Sequence, residues 1–204
     1  MKIVELGDAV VSLTLPVDAD VPAITRACQD PEVARWTTVP DPYRTEHAEA
    51  FVRATVPTGW ADGTSATWAI RESGTEHRIS GMIGLHEISV GSGEIGYWVA
   101  PWARGRGLVG RAAGLVLDHA FAPDGLALDR VSWSAFVGNW PSRRVAWRAG
   151  FRVEGTVRGH ATARGVRYDA WIGTLLRDDP RVPVEPWPAE APVDGRAGAP
   201  RPLC

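Results

Sequence analysis

Residues 104–110 read RGRGLVG, two arginines and three glycines in seven positions, between an apolar stretch and a helical one. These residue types suit an anion. Glycine lets a ligand approach the backbone, arginine adds charge, and the first N–H groups of a helix point outward at the positive end of its dipole. The fitting ligand is a phosphate or pyrophosphate. A GxxxxGK[ST] nucleotide loop is excluded, because the run has no lysine and the only lysine of the chain is Lys2. GRGLVG (105–110) does match the dinucleotide pattern GxGxxG, with Asp129 near the spacing of a ribose-binding acid. That pattern belongs in an opening βαβ unit, however, and here it follows a run of antiparallel-type strands in mid-chain.

Further chemistry-bearing residues lie on either side. Glu94 opens the strand-like GEIGYWVA, where alternation sets Glu94, Gly96 and Trp98 on one face. His86 and Glu87, on the preceding strand, must point to opposite faces, so at most one of them can share a cleft with Glu94. Asn139 and Ser142 form an N-x-x-S run at the start of a short helix, where Asn139 can cap the free N–H groups. His160 reads as a surface histidine. Cys28 and Cys204 lack the spacing of a zinc or redox pair, and no metal site is expected.

These residues need a scaffold, and the chain has the size for one core. It has 204 residues, 45% of them hydrophobic, with a formal net charge of −2. That balance gives no general attraction to nucleic acid or an acidic membrane, so an anion site must be local. No apolar run approaches a membrane span and no signal segment is visible, which points to a cytoplasmic, reducing setting. The ten tryptophans are read chiefly as packing residues.

Hydrophobic periodicity orders the elements. VVSLTL (10–15) alternates as a strand, Pro22 opens a helix through Ala27, and Thr45 starts a second helix that Pro57 is expected to close. Residues 66–71, 79–88 and 93–100 form a strand meander. Leu108 to Ala120 has helical spacing over more than half its circumference, as for a helix buried against a sheet. Residues 129–136 return to strand, 139–150 to helix, and 151–158 with 168–176 close the fold as a strand pair. The expectation is an α/β (α+β) domain over 1–179, with a mixed, largely antiparallel sheet of six to seven strands and about four helices. Residues 180–204 carry seven prolines without apolar period and read as a disordered or loosely docked tail.

In order, EIGYWVAPWARGRGLVGRAAGLVLDHAF, NWPSRRVAWRAGF and EGTVR, together with DPEVARW (30–36), resemble the GNAT superfamily of acyl-CoA N-acyltransferases in its ribosomal-protein N-acetyltransferase-like branch. The resemblance covers nearly all of residues 8–178. It implies acetyl-CoA as co-substrate, with no metal, and acetyl transfer to a primary amine, whether a protein N-terminus or a small molecule such as an antibiotic.

By that resemblance the loop Arg104, Gly105, Arg106, Gly107, Leu108, Val109 and Gly110 wraps the pyrophosphate. Val109 departs from the small residue expected there. A bulge is expected to splay the central strands and leave backbone N–H groups around Trp98, Val99 and Ala100 facing the acyl carbonyl and pantetheine arm. Asn139 contacts that arm, Ser142 stands near the sulfur as acid, and Glu94 is the first candidate for base. The acid that close relatives carry after EGTVRG corresponds here to Ala161 or its neighbour. Trp36, Tyr43 and Trp60 are candidate walls of an amine pocket. Dimerisation is compatible with exposed tryptophans and strand edges. A non-catalytic acyl-CoA-binding module is the rival reading.

Overall fold

The computed structural model describes residues 1–74, 78–192 and 198–200. Eight strands form one sheet: β1 (Leu6–Gly7), β2 (Val11–Thr14), β3 (Ala66–Glu72), β4 (Ile79–Ser89), β5 (Ser92–Val99), β6 (Arg130–Phe136), β7 (Arg152–Ala163) and β8 (Val166–Leu176). Their order is β1-β2-β3-β4-β5-β6-β8-β7. Every neighbouring pair is antiparallel except β5–β6, whose parallel pairing requires a crossover. That crossover is the helix α5 (Leu108–Phe121). The strand absent from the sequence reading is β1, whose two residues are too short to show a period and are recruited by β2.

Strand alternation divides the core. On one face Ile70, Ile83, Leu85, Ile95, Val131 and Trp133 pack against Leu108, Ala112, Ala113, Val116, Leu117 and Ala120 of α5. The other face presents Ala69, Ile79 and Met82 to α1 (Val21–Cys28), α2 (Pro31–Trp36) and α3 (Thr45–Ala50). The helix begun at Thr45 does not end at Pro57. It widens into a π-helical turn over Phe51–Thr55 and continues as α4 (Val56–Asp62), closing at Gly63 with φ +73°. Proline lacks an N–H and crowds the carbonyl four residues back, and the wider turn absorbs both defects. Two of the proposed pocket walls are core residues: Trp60 is 1% exposed and Tyr43 7%. All ten tryptophans are buried or half-buried, so exposed tryptophan does not argue for a dimer.

One buried ion pair holds the first sheet edge to α1. Arg71 donates to both carboxylate oxygens of Asp20 (2.9 and 2.6 Å) and to Thr14 Oγ1 (2.9 Å). Helix α6 (Trp140–Arg148) is followed by the strands β7 and β8. Residues 180–192 run beside it: Trp147 Nε1 donates to the Glu185 carbonyl (2.7 Å), and Trp187 lies edge-on to Trp140 and Trp147, with the Arg144 guanidinium over its ring. Gly198 N donates to the Gly138 carbonyl (2.8 Å). Cys204 lies outside the described residues.

Candidate active site

The central feature is a parting of two strands. β5 and β6 pair only from Ser92↔Arg130 to Ile95↔Trp133, whereas β5 stays on β4 to Gly81↔Val99 and β6 stays on β8 to Phe136↔Ala170. Beyond Ile95 the two strands therefore diverge. The register of β5 on β4 is unbroken from Glu94 to Val99, so the parting comes from the end of the parallel ladder rather than from a bulge in β5.

Alternation decides which N–H groups the parting exposes. Ala100 N donates to Ser80 O (2.8 Å). Alternate residues of an antiparallel strand donate to the same neighbour, so Trp98 also turns its N–H to β4, while Tyr97 and Val99 turn theirs toward the gap. Of the expected trio Trp98, Val99 and Ala100, only Val99 is aimed there, and Tyr97 joins it.

A cleft of about 370 Å³ opens at this point, its lining including Trp36, Phe51, His86, Glu94, Trp98 and Ser142. On the α1–α3 side, Ser134 Oγ donates to Glu94 Oε1 (2.7 Å). His86 is the cross-strand partner of Glu94 and shares this face. Partial withdrawal from water pulls the His86 imidazole below its ordinary value, against the opposing pull of Glu94 and Glu87. Ala161 lines the cleft, whereas His160 is exposed. The roof includes Thr37 and Val39, whose carbonyls accept from Arg164 Nη1 (3.2 and 3.0 Å) at the β7–β8 turn.

On the α5–α6 side, Asn139 Oδ1 accepts from Ser142 N (3.3 Å) and caps α6. Trp133 Nε1 donates to Ser142 Oγ (3.1 Å), which donates to Tyr97 Oη (3.1 Å); the Tyr97 hydroxyl donates in turn to the Ser142 carbonyl (3.0 Å). Burial raises the Tyr97 hydroxyl above its ordinary value and keeps it protonated. Glu94 and Ser142 thus approach the gap from opposite faces of the sheet. Neighbouring residues of β6, Ser134 and Trp133, hold them. The sequence reading missed Tyr97 and Trp133 as members of the site; the odd-numbered face of β5 was the available signal.

At the head of α5, Gly105 and Gly107 have φ +76° and +72°, a left-handed region in which other residues are strained. A Cβ at Gly105, Gly107 or Gly110 would meet nothing within 4 Å, so the space beside the loop is open. The first bond back from the helix is Arg111 N to Gly107 O (3.3 Å), which leaves the N–H groups of Leu108, Val109 and Gly110 without intrahelical partners. The side chains of Leu108 and Val109 are in the core, 2% and 9% exposed, so these residues have only backbone to offer.

Arg104 pairs with Asp30, which also caps α2 through Glu32 N and Val33 N (3.1 Å each), and Arg106 pairs with Glu72. Both arginine side chains are solvent-exposed, and such pairs are worth about 0–1 kcal/mol, so exchanging a carboxylate for a phosphate costs little. The loop as folded fits an anionic ligand. Among the described residues no cluster of metal-ligating side chains occurs.

The chain matches the acetyltransferase (GNAT) domain family over residues 11–152 and belongs to that family. It is 37% identical over 101 residues to YdaF of Bacillus subtilis (strain 168), named as a candidate ribosomal N-acetyltransferase. That alignment covers 48% of this chain and 54% of YdaF, so the chain spans about half the length of this relative. Its fold is similar to that of Mycobacterium smegmatis RimJ in complex with CoA-disulfide (TM-score 0.71, 22% identity, 85% of this chain and 86% of that one). It is also similar to the microcin C7 self-immunity acetyltransferase MccE in complex with acetyl-CoA and AMP (TM-score 0.72, 19% identity, 83% and 93%). No helix among the described residues is long and apolar enough to cross a membrane.

Proposed function

We propose that this protein is a cytoplasmic acetyl-CoA-dependent N-acetyltransferase whose acceptor is a primary amine of a protein or peptide. The observation that carries the reading is the parting of β5 from β6 beside the glycine-led head of α5. One extended ligand can lay a diphosphate on the loop and a thioester in the gap. The name of YdaF favours a protein or peptide amine over a small molecule.

Bound acetyl-CoA supplies a thioester: the amine adds to its carbonyl, the C–N bond forms, C–S breaks through a tetrahedral oxyanion, and sulfur leaves as thiolate. The residues divide that work. Gly105 to Gly110, with Arg104 and Arg106, hold the diphosphate by backbone N–H groups and charge. The Val99 and Tyr97 N–H groups, fixed in a strand, stabilise the oxyanion without reorganising. Asn139 holds the head of α6 where it meets the pantetheine arm. Ser142, braced by Trp133 and Tyr97, turns its hydroxyl to the sulfur. Glu94, braced by Ser134, sets a carboxylate beside the amine on the opposite face, where the ammonium, of ordinary pKa about 10.4 for lysine or 7.7–8.0 for an α-amine, must lose a proton.

Thermal unfolding with acetyl-CoA, CoA or NAD, followed by thiol release with a panel of peptides and amines, tests this reading. Stabilisation by both CoA compounds and turnover on a peptide amine are expected. Ser142→Ala should lower turnover by about 10²-fold or more while keeping the CoA-induced stabilisation. A response to NAD alone would restore the dinucleotide alternative; CoA binding without turnover on any amine would identify a binding module.

A further inference from the structure

Two proton acceptors share the amine side of the cleft, and their surroundings differ. Glu94 already accepts a hydrogen bond from Ser134. His86 has no hydrogen-bond partner for either ring nitrogen among the described residues, and its side chain is exposed within the cleft lining. Its position is built for a ring. Gly84 and Gly96 face each other across β4 and β5. A Cβ on Gly84 would stand 3.3 Å from His86 Cε1, and one on Gly96 would stand 3.3 and 3.4 Å from Cδ2 and Nε2. The imidazole therefore lies over two residues without side chains, Cε1 near Gly84 and Cδ2 and Nε2 near Gly96, and reaches along the strand toward the parting. A side chain at Gly96 would press on the ring, which would have to give by a few tenths of an ångström.

We propose that His86 is the general base of the reaction, taking the amine proton on a ring nitrogen, with Glu94 beside it to stabilise the imidazolium. The assignment rests on the acetyltransfer reading above and places its proton. The imidazole takes a proton from the ammonium, and the freed lone pair bonds to the thioester carbon; the second proton on that nitrogen is lost as the tetrahedral intermediate collapses. The C–S bond breaks, the thiolate takes a proton from the Ser142 side or from water, and the imidazolium releases its proton to solvent.

The titratable groups along the cleft lining are His86, Glu94 and Tyr97, and Glu87 follows His86 in the chain. Tyr97 stays protonated, and of the two carboxylates only Glu94 lies on the cleft face. Partial withdrawal from water pulls His86 below its ordinary value, which favours the neutral, proton-accepting imidazole.

The experiment is kcat/KM against pH for the wild type, His86→Gln, His86→Ala and Glu94→Gln, on the peptide amine that turns over best, with CoA-induced thermal stabilisation as the check on folding and co-substrate binding. His86→Gln is expected to lose about 10² to 10⁴-fold in kcat/KM together with the lower, enzyme-side break of the acidic limb, leaving only the break set by the amine's own ionisation, with the CoA-induced shift intact. Free imidazole should partly rescue His86→Ala. Glu94→Gln should keep an acidic limb displaced to lower pH, because removing the carboxylate removes the charge that favours the imidazolium. A His86→Gln protein that retains the enzyme-side break, or a break abolished by Glu94→Gln instead, overturns the assignment. Absence of turnover by the wild type overturns the acetyltransfer reading and this assignment with it; turnover undiminished in His86→Gln overturns this assignment alone.

Discussion

Gly107 and Gly110 stand three residues apart at the head of α5, and alanine at each should act in opposite directions. At both positions a Cβ has open space, so neither substitution meets a clash in the free protein. The difference is conformational. Gly107 has φ +72°, where an L-residue costs roughly 1–2 kcal/mol. Gly110 is inside α5, where replacing glycine by alanine gains about 0.5–1 kcal/mol, toward the lower figure so near the helix end. For a chain of this size about 1 kcal/mol moves Tm by 2–4 °C. Gly107→Ala should therefore lower Tm by roughly 2–8 °C, and Gly110→Ala should raise it by roughly 1–4 °C. Calorimetry without ligand measures both. Added CoA separates a second effect: if the open space receives the diphosphate, the new methyl of Gly110→Ala intrudes on it, and the CoA-induced shift should shrink even though the free protein is more stable. Equal signs for the two substitutions without ligand would refute the conformational argument. A full CoA shift in Gly110→Ala would refute the placement of the ligand against that face of α5.

Two further expectations concern the scaffold. Asp20→Ala leaves the guanidinium of Arg71 buried without its carboxylate, a loss of about 3–5 kcal/mol that urea denaturation should register as a lower midpoint at unchanged m. Trp187→Ala removes two edge-on ring contacts and the Arg144 cation–π contact, together worth about 1–3 kcal/mol. Limited proteolysis should then cleave within 180–192 faster than in the wild type, and an unchanged rate would show that this packing contributes nothing in solution.

The family was legible through the resemblance of its motifs, and the order of most elements and the head of α5 because each rests on short-range physics. Glycine spacing, the apolar period of Leu108–Ala120, the Asn139 cap and the alternation of β5 depend on neighbours a few residues away, and those neighbours are in the text. The continuation of the helix past Pro57 was hidden, because a proline signals a break while a π-helical turn that accommodates it leaves no mark in residue type. Tyr43 and Trp60 have the composition of pocket walls, but whether an aromatic ring lines a cleft or fills a core depends on which elements close over it.

The site itself was legible in its parts and not in their assembly. Alternation alone placed His86 and Glu87 on opposite faces and could go no further; the cross-strand register, His86 against Glu94, decides which one reaches the cleft. Ser142 is a first-turn residue of α6 by sequence, yet its hydroxyl is braced by Tyr97, 45 residues away, and by Trp133 from the adjacent strand. The parting of β5 and β6 belongs to no residue in particular. It arises because each strand keeps its outer partner after the pairing between them stops, and a pairing that ends is a property of the sheet, set by tertiary contacts that no local stretch of sequence contains.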